Sequence, residues 1–502
     1  MSDNKHTSAA TELKVAEEDV EQRSKAFKKE LGLSDLALTQ TLFIVGLPWV
    51  GAAAKLGPSH IIFWLLAITL FYLPSAIVVI YLNRLMPLEG GLYQWAKLGI
   101  SELMGFMVAW NLWLFVILNT SEIGLQVATS LSYALGPGAQ WMAGSKWFIT
   151  LLSCTIIGSL VVVSTLGLGV GKWIHKAGAV MMLLTFAALL LLPILNLAKG
   201  AIAEYKPLTT AVPAVSLFSL NILGKLGFGA LGGFEYVAIH AGECRDPVRT
   251  IGRSVAVAAP VIGLMFILGT SSVLALIPPD EIDLIGPIPQ VLSVGLRPLG
   301  FAAHILPVAI MGFLWIRVAQ SSVMFTGNTR LPMVAGWDQL LPQWFTRLHS
   351  RFKTPVNSIL FVGAMTLGIG LVGLIGVGEQ EAFQLLWNAS GIFYALTYLV
   401  MFSIPLFGLR RLDARPPGWL RLAAGSGLLM TVLYVGLSIF PIIQVQSRTL
   451  FALKIAGVII GANVIGLALF VLADRTRRTH GGQTRDQSEA SDSSPLEGIS
   501  TD

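Results

Sequence analysis

Apolar residues along this chain form long runs that short polar segments separate. A helix that crosses a bilayer needs about 20 mostly apolar residues, and by that measure the sequence predicts twelve membrane spans. We number them 1–12, and they cover residues 36–56, 60–82, 103–134, 147–167, 176–196, 213–240, 255–277, 301–328, 356–376, 382–407, 420–440 and 451–472. Polar tails lie at 1–34 and 474–502, and the composition of the second is typical of disorder.

The composition supports a membrane protein that crosses the bilayer many times. Hydrophobic residues make up 54% of the chain and charged residues 12%, whereas soluble domains carry about 25% charged residues. An ordinary soluble enzyme is therefore excluded. The two cysteines, Cys154 in an apolar span and Cys244 in a basic loop, are expected in different compartments, so no disulfide framework is predicted.

The distribution of Lys and Arg between the spans predicts the orientation. The loops after the even-numbered spans hold most of these residues, and such loops are usually cytoplasmic. Twelve spans then return the basic cluster at 475–478 to the cytoplasm, which eleven or thirteen spans would not. We expect a multi-pass protein of the cell membrane, plasma or inner, with both termini in the cytoplasm.

Two of the spans contain residues that interrupt helices. Span 1, TLFIVGLPWVGAAAKLG, has Gly46, Pro48 and Gly51 in its middle, and span 6 has four glycines between 227 and 233. Irregular backbone is tolerated in a membrane only where it is buried in protein or lines a cavity. Two interrupted spans, five apart, indicate an inverted-repeat transporter whose freed amides and carbonyls bind a substrate. The alternative for span 6 is that its glycines only let helices pack closely.

Three separate motifs resemble permeases of the amino acid–polyamine–organocation (APC) superfamily. They are LEGGLYQWAK at 88–97, GGFEYVAIHAGECRDPVRTIGRS at 232–254 and GNTRLPMVAGWDQLLPQWFTRLHSRFKTP at 327–355. The resemblance covers most of 33–475. It implies an all-α, LeuT-like five-plus-five inverted repeat, with spans 1–5 in 35–200 and spans 6–10 in 201–410. Spans 11 and 12, in 411–473, would be additional.

The resemblance also implies where the substrate binds, between the interrupted spans 1 and 6, with spans 3, 8 and 10 as walls. Residue by residue, the site carries over to Val45, Gly46, Leu47, Pro48, Trp49, Val50, Gly51, Thr120, Gly229, Ala230, Leu231, Gly232 and Gly233. One departure concerns span 1, where GLPWVGA replaces the usual G-S-G-I-F pattern and so changes the number of free amides.

Four charged residues inside the predicted spans are candidates for coupling or gating. Cation-dependent members of the fold hold a sodium ion between helices one and eight, and Arg317 would occupy or border that place, or else only fix helix packing. Glu235 would carry a proton, because an apolar setting favours a neutral carboxyl, or else cap the inner half of helix six. Glu122 and Lys225 would meet external water, where they would pair, line the entry or recognise a charged substrate. Asn388 is expected to make a helix–helix hydrogen bond.

These observations predict a secondary active transporter of amino acids that works by alternating access, coupled to protons and independent of sodium. The alternatives are an importer of polyamines or cationic amino acids, an amino-acid exchanger and, further off, a transporter-like nutrient sensor. We expect a small-molecule substrate, a proton and the lipid bilayer as partners. No catalytic constellation, metal-ligand cluster or cofactor motif is evident, so we expect no enzyme activity, no cofactor, no metal and no nucleic-acid partner.

Overall fold

The computed structural model describes residues 31–284, 286–300, 302–373, 379–409, 416–440 and 447–492, with isolated positions before residue 31. Most of the tail 1–34 and the end of the tail 474–502 lie outside the described residues. Within them the regular structure is helical, apart from one isolated β-bridge between Leu31 and Cys244.

Helices long and apolar enough to cross a bilayer account for most of the fold. Ten such helices are found in the described residues: Gly57–Leu85, Glu102–Leu135, Lys146–Leu166, Gly169–Ala198, Leu217–Glu243, Pro247–Leu276, His304–Trp337, Leu385–Gly408, Gly418–Ser438 and Arg448–Arg477. A pair of helices, Leu33–Ile44 and Leu47–Ala54, forms a further span, and the two are bent by 49°. A shorter apolar helix, Val356–Gly373, lies where span 9 is predicted. Each of the twelve predicted spans therefore coincides with a helix.

The ends of several helices follow directly from the local sequence. Ser101 and Ser145 accept hydrogen bonds from backbone N–H groups three residues on, and Asp246 does the same at the start of helix Pro247–Leu276. These side chains satisfy amides that a helix N-terminus leaves without partners. Helices end at Gly136 and Gly167 with φ of 81° and 88°, which favours glycine. These N-terminal caps and C-terminal glycines let the chain pass from one long helix to the next through short connections.

The C-terminal helix continues further than composition predicts. It runs over Arg448–Asp492, whereas the sequence predicts a disordered tail from 474. Arg477 holds the beginning of this stretch, because its guanidinium pairs with Glu102 at 2.6 Å and with Asp474, one turn away, at 2.9 Å. The contact with Glu102 fixes this stretch of chain against the helix bundle, and nothing in the local sequence indicates it.

The two interrupted spans lie in the middle of the bundle. We call helices Leu33–Ile44 and Leu47–Ala54 the first broken helix, and Leu217–Glu243 the second broken helix. The second broken helix is mostly buried within the bundle, whereas the C-terminal helix is mostly exposed. Helices Pro247–Leu276 and Ala302–Asn328 both pack on the first broken helix. A central position surrounded by protein is the setting in which irregular backbone can be satisfied within a membrane.

Ion pairs between segments distant in sequence hold one end of the bundle together. In the part of the chain that the structure describes, Arg330 and Glu243 form the buried pair, with 2.8 Å between Nη2 and Oε1. Three other ion pairs are less buried, and each has a nitrogen–oxygen distance of 2.6 Å: Lys97–Asp338, Lys176–Asp35 and Arg477–Glu102. We call this the ion-paired end. It is the end that the Lys and Arg distribution predicts to be cytoplasmic.

The chain before the first broken helix is attached to the same end. Leu31 donates its N–H to the carbonyl of Glu243 at 3.1 Å, and its own carbonyl accepts from Arg245 at 3.3 Å. Cys244, between them, is buried and its thiol is free, and Cys154 is a free, exposed thiol. Neither cysteine forms a disulfide, as the sequence analysis expects.

A buried carboxyl group, Glu89, lies beside the Arg330–Glu243 pair. One of its oxygens accepts the N–H of Gly242 at 2.7 Å, and the other is buried without a hydrogen-bond partner. Burial, reinforced by the nearby carboxylate of Glu243, raises the pKa of Glu89 well above its ordinary value, although Arg330 acts in the opposite direction. The following Gly91 has φ of 46°, and its Cα approaches the backbone of residue 238 so closely that a Cβ would lie 2.8 Å from it.

Candidate substrate-binding site

The break in the first broken helix removes most of its own free amide donors. The chain leaves helical geometry at Val45 and Gly46. Gly46 donates its N–H to the carbonyl two residues earlier at 2.7 Å, and Trp49 donates to the carbonyl of Gly46 at 3.0 Å. Pro48 has no N–H to donate. The amides of Gly46 and Trp49 are therefore used within the break itself.

The break in the second broken helix is built from glycine. A π-helical turn, Lys225–Ala230, is followed after Leu231 by two non-helical residues, Gly232 and Gly233, and then by the 3₁₀ helix Phe234–Glu243. Gly233 has φ of 136°, a conformation that L side chains rarely adopt, and a Cβ there would lie 2.6 Å from the ring of Phe43. Its N–H donates to the hydroxyl of Tyr398 at 2.6 Å. Both interruptions that the sequence predicts are present, and they face each other.

A cavity lies between the two breaks and is lined largely by aromatic rings. The lining rings belong to Phe43, Trp49, Phe115, Phe228, Trp387, Tyr394 and Tyr434. Trp49 and Trp387 approach each other with ring centroids 5.5 Å apart. The cavity has a volume of about 80 Å³, whereas one ordered water needs roughly 10–15 Å³ on this scale. A small organic molecule therefore fits where several waters would.

The polar groups of the cavity come from the helices of spans 3, 8 and 10. Asn119, Gln126, Gln320, Ser321 and Ser390 contribute carboxamide and hydroxyl groups. Arg317, near the middle of helix Ala302–Asn328, contributes a guanidinium. A mostly apolar cavity with a few convergent polar groups is typical of a small-molecule site.

The structure brings some of the residues expected from the sequence to the cavity and leaves others behind it. Gly46, Trp49, Gly229 and Gly232 line it. Eight further positions are not part of the lining in the described structure: Val45, Pro48, Val50, Gly51, Thr120, Ala230, Leu231 and Gly233. One of these, Gly51, has a packing role, since a Cβ there would lie 2.6 Å from Pro287. The side chain of Leu47 lies outside what the structure describes.

Gln320 joins the first broken helix to helix Ala302–Asn328. Its Nε2 donates to the carbonyls of Leu42 at 2.9 Å and Val45 at 2.8 Å, and its Oε1 accepts from Arg317 at 3.2 Å. These carbonyls lie between helices one and eight, in the region where the sequence analysis expects Arg317 to act. A neutral amide fills the space between the carbonyls, and Arg317 borders it by orienting that amide.

Glu235 follows the second break and bonds to two tyrosines of helix Glu379–Ser403. Tyr394 donates its hydroxyl to Oε1 at 2.5 Å, and Tyr398 donates to Oε2. All three side chains are buried. Because Tyr398 also accepts the N–H of Gly233, the carboxyl group is linked through one hydroxyl to the backbone of the break.

The other two intramembrane charges differ from what the sequence suggests. Glu122 and Lys225 are 4% and 2% exposed, so they are buried and do not meet external water, and they form no salt bridge with each other in the described structure. Lys225 donates instead to Oδ1 of Asn388 at 3.3 Å, which gives Asn388 the helix–helix hydrogen bond expected of it. Neither carboxylate oxygen of Glu122 has a hydrogen-bond partner, and the group acts electrostatically on Arg317.

Sequence reasoning missed several residues that the cavity uses. Gln320, Trp387, Asn119 and Gln126 were not candidates, because polar and aromatic residues also serve ordinary helix packing. One signal was available, since Gln320 lies one turn after Arg317 and faces the same side of the helix. Across the described residues, no group of three or more His, Cys, Asp or Glu side chains is arranged to hold a metal ion.

Two broken helices that face each other across a cavity, in the middle of a bundle of membrane helices, define a secondary transporter. The family to which the chain belongs is that of the amino acid permeases, whose sequence profile matches residues 31–462. This confirms the resemblance drawn from the three motifs.

Individual relatives are also transporters. An uncharacterized transporter of Legionella pneumophila is 22% identical over 88% of this chain and 95% of its own length. A probable agmatine/putrescine antiporter of Lactococcus lactis is 21% identical over 75% of this chain and 78% of its own. The crystal structure of MhsT in complex with L-phenylalanine has a TM-score of 0.55 at 15% identity, covering 82% of this chain and 98% of that one. The likeness to MhsT shows the shared fold.

Proposed function

We propose that this permease carries amino acids across the cell membrane by alternating access, driven by protons and without sodium, and that both termini are cytoplasmic. The substrate binds in the cavity between the two breaks. The observation that carries the proposal is the position of Glu235, a buried carboxyl group hydrogen-bonded to Tyr394 and Tyr398 directly after the second break.

The hydrogen bonds around Glu235 suggest how a proton acts on the break. An ionised carboxylate accepts from both hydroxyls, whereas a protonated carboxyl is itself a donor on one oxygen. The tyrosine that faces the protonated oxygen then donates a weaker hydrogen bond or turns its own hydrogen away, because that oxygen now carries a proton. If that tyrosine is Tyr398, the N–H of Gly233 loses a well-placed acceptor. Protonation would in this way loosen the second break, where alternating access needs movement.

The amide of Gln320 supports independence from sodium. It donates to the carbonyls of Leu42 and Val45, so these oxygens are already satisfied without a cation. A proton carried with a neutral substrate moves one net charge, and the membrane potential contributes about 2.3 kcal/mol per charge per 100 mV. No second ion is required for accumulation.

A polyamine or cationic amino acid, or exchange of one substrate for another, is the second candidate. It is favoured by the relative described as an agmatine/putrescine antiporter. The carboxylate of Glu122 is buried without a hydrogen-bond partner, and it could attract a cationic substrate.

Uptake into proteoliposomes tests the coupling. Uptake of radiolabelled amino acids should rise as external pH falls, equally in sodium and choline buffers. Glu235→Gln mimics the protonated acid, and it should keep exchange but lose uphill uptake and its pH dependence. Glu281→Gln, at an exposed position, serves as the control. Strict sodium dependence would contradict the proposal, and an unchanged pH profile in Glu235→Gln would place the proton elsewhere, with Glu122 next to test.

A further inference from the structure

We propose that Arg317 binds the carboxylate group of the transported substrate, so that the permease accepts amino acids and rejects the corresponding amines. This inference rests on the proposed function, since it assigns a group of the substrate to one side chain of the cavity. It also separates the two substrate classes that the proposed function leaves open.

The first argument is the shortage of other donors. A carboxylate in an apolar cavity needs several N–H or O–H groups, because burying a charge without partners is expensive. At the first break the amides of Gly46 and Trp49 are bonded internally, and Pro48 has none. At the second break the N–H of Gly233 is bonded to Tyr398 and that of Gly232 to the carbonyl of Phe228. The backbone therefore offers little to a carboxylate.

Arg317 supplies what the backbone lacks. A guanidinium has five N–H donors in a planar fork that matches a carboxylate, and Arg317 lines the cavity. In the described structure one donor, on Nη1, is used by Oε1 of Gln320 at 3.2 Å. Gln320 is in turn fixed by the carbonyls of Leu42 and Val45, so the guanidinium is held at a set distance from the first break. Such positioning lowers the cost of ordering a side chain when the substrate binds.

The charges around the cavity favour a carboxylate over a simple amine. Arg317 is the charged residue of the lining among the described residues. Glu122 acts on it electrostatically from outside the lining. Glu235 is engaged with two tyrosines. A polyamine would place its positive charge in a cavity whose wall carries a cation, whereas the carboxylate of an amino acid would meet that cation directly.

Pairs of ligands that differ only in the carboxylate test the inference. The purified protein in detergent is titrated by thermal shift with arginine and agmatine, ornithine and putrescine, phenylalanine and phenethylamine, and leucine and isoamylamine. For each amino acid that binds, the matching amine should bind at least about 30-fold more weakly. This ratio corresponds to about 2 kcal/mol, the low end for one partner of a buried charge pair.

Variants then assign the discrimination to Arg317. The double variant Arg317→Gln/Glu122→Gln removes both interacting charges, so it avoids leaving a buried carboxylate alone. It should bring the two affinities of each pair within about threefold, mainly by weakening the amino acid. Arg317→Lys keeps the charge without the fork and should give an intermediate ratio. Lys225→Met removes a buried cation that does not line the described cavity, and it should keep the full ratio.

The possible results separate failure of the inference from failure of the proposed function. If amino acids bind and the double variant keeps the full ratio, Arg317 is not the anchor, while amino-acid transport stands. If the amines bind the wild type as tightly as the amino acids, the inference fails and a polyamine substrate replaces the amino acid. If none of the eight compounds binds, the proposed function fails and the inference with it.

Discussion

Replacing Gln320 by glutamate should turn a permanently satisfied contact into a cation site. The side-chain amide of Gln320 donates to the carbonyls of Leu42 at 2.9 Å and Val45 at 2.8 Å. Gln320→Glu retains the shape but replaces the donor nitrogen by an oxygen, so that a carboxylate oxygen and two carbonyl oxygens converge on one point. Oxygen ligands of this kind bind hard cations.

The hydrogen bonds give the size of the expected effect. Two neutral bonds contribute about 0.5–1.5 kcal/mol each, and the bond from Arg317 about 1.5–3 kcal/mol. Gln320→Met, which keeps the volume and loses all three bonds, should therefore destabilise the protein by roughly 2.5–6 kcal/mol. Gln320→Glu should recover part of that loss in sodium. With a dissociation constant of ~10 mM, 150 mM sodium contributes about 1.6 kcal/mol.

The assay is thermal unfolding of the purified proteins at pH 8 in sodium chloride, potassium chloride and choline chloride of equal ionic strength. The wild type and Gln320→Met should be indifferent to the cation, and Gln320→Glu should be more stable in sodium. Gln140→Met, at an exposed position, is the matched control and should match the wild type. Stabilisation of the wild type by sodium, or a Gln320→Met variant as stable as the control, would refute the reasoning.

Two further predictions concern the backbone of the second break and the ion-paired end. Gly233→Ala should lower the free energy of unfolding by about 1–3 kcal/mol, because φ of 136° is strained for alanine. The control Gly436→Ala, which has no heavy atom within 4 Å of its added Cβ, should be neutral or stabilising in the same thermal-unfolding measurement. Equal effects of the two substitutions would mean that the strain at Gly233 is absent. Because the pKa of Glu89 is raised above its ordinary value of 4.5, the folded protein keeps a proton that the unfolded chain has lost. Stability should therefore fall as pH rises above about 4.5. Glu89→Gln, which can still accept from Gly242, should flatten this part of the thermal-stability profile, and an unchanged slope would contradict it.

The sequence predicts the spans well because the bilayer imposes a simple requirement. Any helix that crosses hydrocarbon needs a long apolar run, so run length alone locates all twelve. The breaks are also predictable from local sequence, since Pro48 and the glycines before Phe234 destabilise a regular helix. Arg317 attracts attention because a charge in a membrane is expensive.

The rest of the site depends on which helix faces pack together, and the local sequence does not predict this. Gln320 is an ordinary polar residue until its amide meets two carbonyls nearly 280 positions earlier in the chain. The positions of Glu122 and Lys225 in their spans predict contact with external water, but neighbouring helices bury both side chains. The C-terminal helix is held just past 474 by a partner, Glu102, that lies 375 residues away.

Under the proposed alternating access, the ion-paired end would make opening on its own side slower than opening on the other side. If opening on that side separates Arg330 from Glu243, the protein loses a charge-assisted contact between buried groups, which contributes about 1.5–3 kcal/mol. If ~3 kcal/mol of that cost appears in the barrier, the step slows by roughly a hundredfold. The turnover rate would then be set by this gate, far from the cavity, and the substrate would wait at its site for the gate to open.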